Sequence, residues 1–482
     1  MRTLIGKPRM TAVLLVFSAL VFGYLMGIRT GLIHSAGAMR SQGPAHLEEK
    51  ESWLNIYQAD QKIGYAHRKL EHEDTGFQLT DFTRMRLNTM GMVHTVEIRT
   101  TAHLVSNLSL NTVDFSLKSH RFSFHARGRV EERAFIVTVD GREIRIPLEG
   151  PLYVTAVALD VVNAANLKTG DSAELSVFDP STLGRRLIRV TADEREPLRI
   201  MGRDVDALKV RVEVMGAVMS AWLDKDGTVL QEKGMLGFTL KRVSPEEALA
   251  GEPLGSGRDL TRLVSVSAGK IIQAPEQLSR LKLAVNGVGA SLFMDGERQK
   301  FEQGELTIVR ESLPDPEQID TSGMREYLVP TPFMESDHPD ILKLSAEIVS
   351  DAKRPLEKAR KLVAWVHAKI EKKPVISVPS ALETLKHRQG DCNEHAVVLA
   401  ALARASGIPA QVEAGLVYLN GRFYYHAWNV LFLGQWITAD ALMNQLPTDV
   451  THLRLVRGEP GQQVDLMGTI GRITLNLLDT EP

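Results

Sequence analysis

The sequence predicts an α+β chain of several domains: an N-terminal transmembrane helix, antiparallel β-rich domains, and a C-terminal α+β domain. Three observations carry this. An uncharged run of eighteen residues stands near the N-terminus. Period-two hydrophobicity runs from Trp53 to about Val243, and from Asp337 the period turns helical. At 482 residues the chain also exceeds one ordinary core, so division into domains is expected.

The N-terminal run, TAVLLVFSALVFGYLMGI from Thr11 to Ile28, is preceded by Arg2, Lys7 and Arg9. At about 1.5 Å per residue it spans roughly 27 Å, just enough for a bilayer core. The basic flank predicts an N-terminus in the cytoplasm and the bulk of the chain outside, anchored by a single pass. A cleaved signal peptide is the rival reading, with Ala36-Gly37-Ala38 as a small-residue cleavage site. The localisation expected is therefore a single-pass membrane protein with its bulk in the periplasm or another extracytoplasmic space. Composition is globular, 44 % hydrophobic and 24 % charged, and a net charge of −2 argues against a nucleic-acid binder.

Texture divides the chain further. Residues 1–10 are a cytoplasmic N-terminus, 11–28 the anchor or signal segment, and 29–52 a polar linker punctuated by Gly and Pro. Residues 53–243 form the large β-rich domain. LKVRVEVMG alternates Leu208, Val210, Val212 and Val214 against charged neighbours, and Asp140-Gly141 and Asp226-Gly227 are hairpin signals. Residues 244–259 are a linker and 260–312 a small β domain with a hairpin signal at Asp295-Gly296. A Pro-rich connector covers 313–336, and 337–482 is the α+β domain.

In that last domain Asp337 is placed to cap a helix with Pro339 in its first turn and a stripe of Ile341, Leu344, Ile348 and Val349. A second helix aligns Leu356, Leu362, Val363, Val366 and Ile370, and Ser380 to Glu383 has capping-box spacing for a short third. Then comes RQGDCNEHA, residues 388–396, holding the only cysteine of the chain, Cys392. An exported protein with one thiol has no disulfide to form, so that thiol is either an inert buried group or a reactive one. Asp391 stands as an N-cap, Glu394 completes a capping box, apolar VVLAALA follows, and Ser406-Gly407-Ile408-Pro409 ends the helix. Cys392 is thus predicted to begin a helix of about fifteen residues, where unpaired N–H groups and the dipole favour a thiolate and could stabilise an oxyanion.

A nucleophilic thiol needs a base, and the base needs an orienting acceptor. QVEAGLVYL and RFYYHAWNVLF flank Asn420-Gly421, a type I′ hairpin signal, and place His426 mid-strand; WITAD returns after Gly434 and ends at Asp440. Cys392, His426 and Asp440 supply the three roles. A two-residue loop at Gly434-Gln435 would turn Asp440 away from His426. A three-residue loop over Leu433–Gln435, or a bulge at Ala439, makes them diagonal neighbours on one face, so one of those is predicted. Trp428, two residues along on the face of His426, is a candidate wall of the substrate site. Asp391, Asn393, Glu394 and His395 are expected to cap the helix and support the thiol. Asp449 and His452 alone are too few for a metal, and neither metal nor cofactor is expected.

GDCNEHA, ALARASGIPAQVEAG, YHAWNVLFLGQWITADAL and LPTDVTHLRL, in that order, resemble the bacterial transglutaminase-like superfamily over about residues 338–458. The resemblance implies a papain-like core with Cys392 as nucleophile, His426 as base and Asp440 as its carboxylate. One departure stands out: Ala441 and Leu442 follow the Asp, where the family often has Pro and then Thr or Ser. The expected function is an exported thiol enzyme that hydrolyses a peptide or isopeptide amide through a Cys acyl-enzyme. The alternatives are an acyltransferase joining Gln-type amides to amines and a non-catalytic module that retains the fold. The partner expected is a protein or peptide substrate outside the cytoplasm.

Overall fold

The computed structural model describes residues 49–482 apart from 215–216, 252–253, 290–291 and 459–462. A sheet of fifteen strands occupies the stretch from Lys50 to Val243. Its first strand, Lys50–Gln58, pairs with its last, Phe238–Val243, and hairpins run outward from this seam to edges at Arg142–Pro147 and Tyr153–Val154. Local chemistry explains the ladder. In Gly76–Thr89 every second residue is buried, Leu79, Met85 and Leu87 among them, as a strand with one covered face requires. Asp140 and Gly141 both take positive φ between paired Val139 and Arg142, the conformation of a type I′ turn.

The C-terminal part has four helices: α1 (Pro339–Ile348), α2 (Pro355–Lys369), α3 (Ala381–His387) and α4 (Cys392–Ala405). Its sheet contains β1 (Ala410–Leu419), β2 (Arg422–Phe432), β3 (Trp436–Ala439) and β4 (Leu453–Arg457). β2 lies between β1 and β3 and also pairs with Val266–Ser267, while β1 pairs with β4. Every residue of α4 from Cys392 to Arg404 is buried, because α1, α2, α3, β1 and β2 all pack on it. A helix apolar on all sides is a central one, which is what VVLAALA provides. Asn429 of β2 fixes the packing, donating to the carbonyls of Ala396 (3.0 Å) and Gln411 (3.3 Å). A smaller sheet joins Gln299–Glu302, Glu305–Val309 and Arg280–Asn286 to the C-terminal strand Thr474–Glu481.

Several expectations are corrected. The fold is dominated by strand (48 %, against 19 % helix) and organised around one large antiparallel sheet, so an α+β class with a transmembrane helix does not describe it. Thr11 to Ile28 lies outside the described residues. Among the described residues no helix is long and apolar enough to cross a membrane. The longest, α2, has 15 residues and carries charge, whereas a span needs about 20 apolar ones. The expected single-pass membrane placement, and the extracytoplasmic bulk that went with it, therefore has no support in the structure. The cap of α1 is His338, whose Nδ1 accepts from the Asp340 N–H, because Asp337 is paired with Arg142 of the large sheet at 2.7 Å. The turn expected at Asp295-Gly296 falls two residues later, at Glu297-Arg298, with Gly296 bridged to Gln299.

Candidate functional site

The start of α4 is built by its own side chains. Asp391 caps it, accepting from the Asn393 N–H at 3.1 Å, while Glu394 reaches back to the Asp391 N–H at 2.9 Å. The other Glu394 oxygen accepts from Ser377 Oγ at 2.5 Å. Glycine is required at 390, since a Cβ there would lie 2.2 Å from the Glu394 Cβ. These constraints set Cys392 as the first helical residue. Its Sγ lies 3.9 Å from Asp391 Oδ1 and receives the backbone N–H of Ala427, the residue after His426. Burial pushes the thiol well above its ordinary pKa, and the negative Asp391 adds to this. Burial and the neighbouring carboxylate thus work against the thiolate that the helix start and the Ala427 amide favour.

Asn420 and Gly421, both at positive φ, turn β1 into β2 and bring His426 opposite Gly415. At the next turn Phe432 faces Trp436, so the loop is the three-residue one, Leu433–Gln435. Asn429 faces Ala439, which carries the register on to Asp440 beside Trp428. The result is a 2.6 Å hydrogen bond between His426 Nε2 and Asp440 Oδ2. A carboxylate only accepts, so Nε2 carries the proton of this bond. The other nitrogen, Nδ1, is buried and makes no hydrogen bond. Cys392, His426 and Asp440 are 0 %, 0 % and 1 % exposed, so the site is closed in this conformation.

Asp440 has further partners. Its Oδ1 accepts from the Met443 N–H (2.9 Å), and its Oδ2 also meets His452 Nε2 at 3.2 Å. The other nitrogen of His452 faces Asp449 Oδ1 at 3.2 Å, and Asp449 is itself fixed by Thr451 and Gln445. Burial works against charge on His452, yet Asp449 and Asp440 raise its pKa to about 9. Burial likewise opposes ionised Asp440, but His426 and His452 hold its carboxyl well below the usual range. His426, Asp440 and His452 bring donor atoms within 4.8 Å of one another. Two ligands on one zinc stand about 3.3 Å apart, from bonds of about 2.0–2.1 Å at tetrahedral angles. The 2.6 Å separation of His426 and Asp440 is that of a shared proton.

Trp428 is buried; its ring stacks toward His426 (6.1 Å between centroids) and meets His452 edge-on (5.2 Å). Its indole N–H donates to Glu413 Oε2 at 2.7 Å. It thus backs the imidazole and faces no open cleft here. Glu413 is 1 % exposed and is held by Arg454 and Arg457, which also pair with Glu297. His395, one turn after Cys392, donates from Nδ1 to the Asp391 carbonyl at 2.7 Å; burial lowers its pKa to about 4, so it is neutral. Sequence reasoning set His452 and Asp449 aside as too few for a metal and passed over Glu413, Arg454 and Arg457. A signal existed: acids and arginines inside the apolar runs VEAGLVYL and LRLVR must be paired if both strands are buried.

A thiol beginning a central helix, next to a strand histidine whose far nitrogen is held by a carboxylate, defines a papain-like thiol enzyme in general terms. Residues 342–441 match the family model of the transglutaminase-like superfamily, and the chain carries a domain of that superfamily there. No curated protein matches the chain significantly. Among solved structures, one similar chain is a provisionally assigned cysteine protease from Cytophaga hutchinsonii, 17 % identical with a TM-score of 0.26, covering 42 % of this chain and 84 % of its own. Another is a provisionally assigned protease from Parabacteroides distasonis, 10 % identical at 0.22, covering 73 % and 67 %. A third is a β-barrel-like protein of a domain of unknown function from Brucella abortus, 11 % identical at 0.32, covering 41 % and 96 %. Likenesses this distant carry no argument about activity.

Proposed function

We propose that the C-terminal part of the chain hydrolyses a peptide or isopeptide amide through an acyl-enzyme on Cys392, with His426 as base and Asp440 as its orienting carboxylate. The observation that supports this most is the hydrogen bonding of His426. Nε2 is committed to Asp440 at 2.6 Å, and the buried Nδ1 is left without a partner on the strand whose Ala427 amide touches the thiol.

The chemistry starts from the Cys392 thiol and Nδ1 of His426. As Sγ attacks the amide carbon, its proton passes to Nδ1, and the imidazolium so formed is stabilised by Asp440. The amide oxygen becomes an oxyanion beside the N–H of Cys392 at the helix start. Collapse breaks the C–N bond, and His426 returns the proton to the leaving amine. Water, deprotonated by His426, then attacks the thioester and restores the thiol. Because Cys392 is sealed, substrate entry needs an opening of the cover over the helix start.

The test is alkylation of Cys392 in the full chain across pH, read by intact mass, in the natural protein and in His426→Ala. Both share the same opening step, so their ratio isolates the base. The natural chain is expected to label at least tenfold faster at neutral pH. Equal rates in the folded state, with full labelling of both after unfolding, would make Cys392 a structural thiol.

A further inference from the structure

The cluster around Asp440 holds a residue that the three-membered site does not use. His452 is fully buried, and each of its ring nitrogens faces a carboxylate: Nε2 faces Asp440 and Nδ1 faces Asp449, both at 3.2 Å. Carboxylates only accept, so this geometry calls for protons on both nitrogens. The ring lies edge-on to His426 with centroids 5.7 Å apart. It is also carried rigidly. Asp449 closes its own turn by accepting the Thr451 N–H (2.8 Å) and hydroxyl (2.6 Å), and Trp428 packs edge-on against the ring.

We propose that His452 is a positioning residue, an imidazolium fixed by Asp449 that clamps Asp440 in place for His426 and keeps His426 Nδ1 available as a base. This rests on the reading of Cys392, His426 and Asp440 as the reacting set, and adds to it a second carboxylate–imidazole pair behind the first. The clamp acts in two ways. As a donor, His452 adds to the His426 and Met443 N–H groups that orient the Asp440 carboxylate. As a cation 5.7 Å from the His426 ring, it opposes a second positive charge there.

The other charged groups near the pair are accounted for. Arg298 donates to the His452 carbonyl (2.7 Å) and is paired with Glu311. Lys372, from the segment after α2, is close enough to feel Asp440. His395 of α4 is neutral, its pKa lowered to about 4 by burial. None of them stands between the two imidazoles as a direct partner of His452 Nε2 or Nδ1.

The experiment follows the pH dependence of Cys392 alkylation in the full chain and in His452→Gln, His452→Ala and Asp449→Asn. Glutamine keeps a neutral donor for Asp440 but removes the charge. Losing a like charge at this separation raises the pKa of the neighbouring imidazole by roughly one unit or more. The midpoint set by His426 is therefore expected to move to higher pH by about that much in His452→Gln and Asp449→Asn. The alanine variant should show the same shift with a lower plateau, partly restored in the glutamine variant. A merely structural residue would change melting temperature or plateau while leaving the midpoint in place, and midpoints unmoved in both His452→Gln and Asp449→Asn would overturn the clamp. A second readout does not depend on thiol reactivity: in protein labelled with 15N-histidine, His452 should carry protons on both ring nitrogens at pH 7.5. A neutral His452 in that spectrum refutes the proposal even if alkylation depends on His426. A doubly protonated one upholds the charged pair even if the natural chain and His426→Ala alkylate alike, in which case it is the thiol-enzyme reading that fails.

Discussion

Replacing Glu413 by Gln perturbs the floor of the site without touching Cys392, His426 or Asp440. The carboxylate is buried and has three partners: the Trp428 indole (2.7 Å), Arg454 (3.2 Å) and Arg457, whose Nε stands at 2.9 Å. Both arginines donate to Oε1 and Trp428 donates to Oε2, so the one acceptor oxygen of glutamine can serve either the guanidinium pair or the indole, while its amide hydrogens oppose the other. Removing one member of a buried ion pair costs about 3–5 kcal/mol. The low end applies here, because Glu297 remains on both arginines and is 32 % exposed, so water can share in the compensation. A loss of about 3 kcal/mol corresponds to a fall in melting temperature on the order of 10 °C for a domain of this size. The assay is calorimetry of the full chain, with the transition of the C-terminal part located by its tryptophan fluorescence. Alkylation of Cys392 should slow as well, since Trp428 backs the His426 ring. A shift of less than about 2 °C, or under 1 kcal/mol, would mean that water already solvates this network and that its burial is not what the structure implies.

Stability should also depend on pH through His452. Its folded pKa of about 9 lies above the ordinary 6.5, so the stabilisation is complete below about 6.5 and is lost as pH rises through about 9. The difference corresponds to about 3 kcal/mol, read as a decline in urea midpoint between pH 6.5 and 9.5 that is shallower in His452→Gln. Cys392, held as a thiol, adds to the decline at the upper end in both proteins, so the comparison between them is what tests His452. Asp440→Asn should lower His426-dependent alkylation by about 10²-fold, because the amide stabilises the imidazolium poorly; a rate within twofold of the natural chain would remove Asp440 from the site. Asn429→Ala deletes two buried N–H bonds from β2 to the Ala396 and Gln411 carbonyls and should destabilise by about 1–3 kcal/mol in a denaturant titration, with no change expected if α4 docks through apolar contact alone.

What the chain by itself determined was local. Asp391, Glu394 and Gly407 define the ends of α4 through capping chemistry acting within a few residues, and Asn420-Gly421 sets the hairpin that carries His426. The pairing of His426 with Asp440 was also within reach, because a period of two leaves only loop lengths that put both residues on one face. The tertiary structure decided what depends on distant segments. The ionisation of Cys392 turned on how completely α1, α2, α3 and the sheet enclose α4, which no capping motif records. The partner of Asp337 is an arginine 195 residues earlier, so its loss as a helix cap could not be read locally. His452 and Glu413 were ambiguous for the same reason. A histidine beside an apolar strand, or a glutamate within one, is costly to bury alone, and only the folded chain brings up the Asp449–Asp440 and Arg454–Arg457 pairs that compensate for burial.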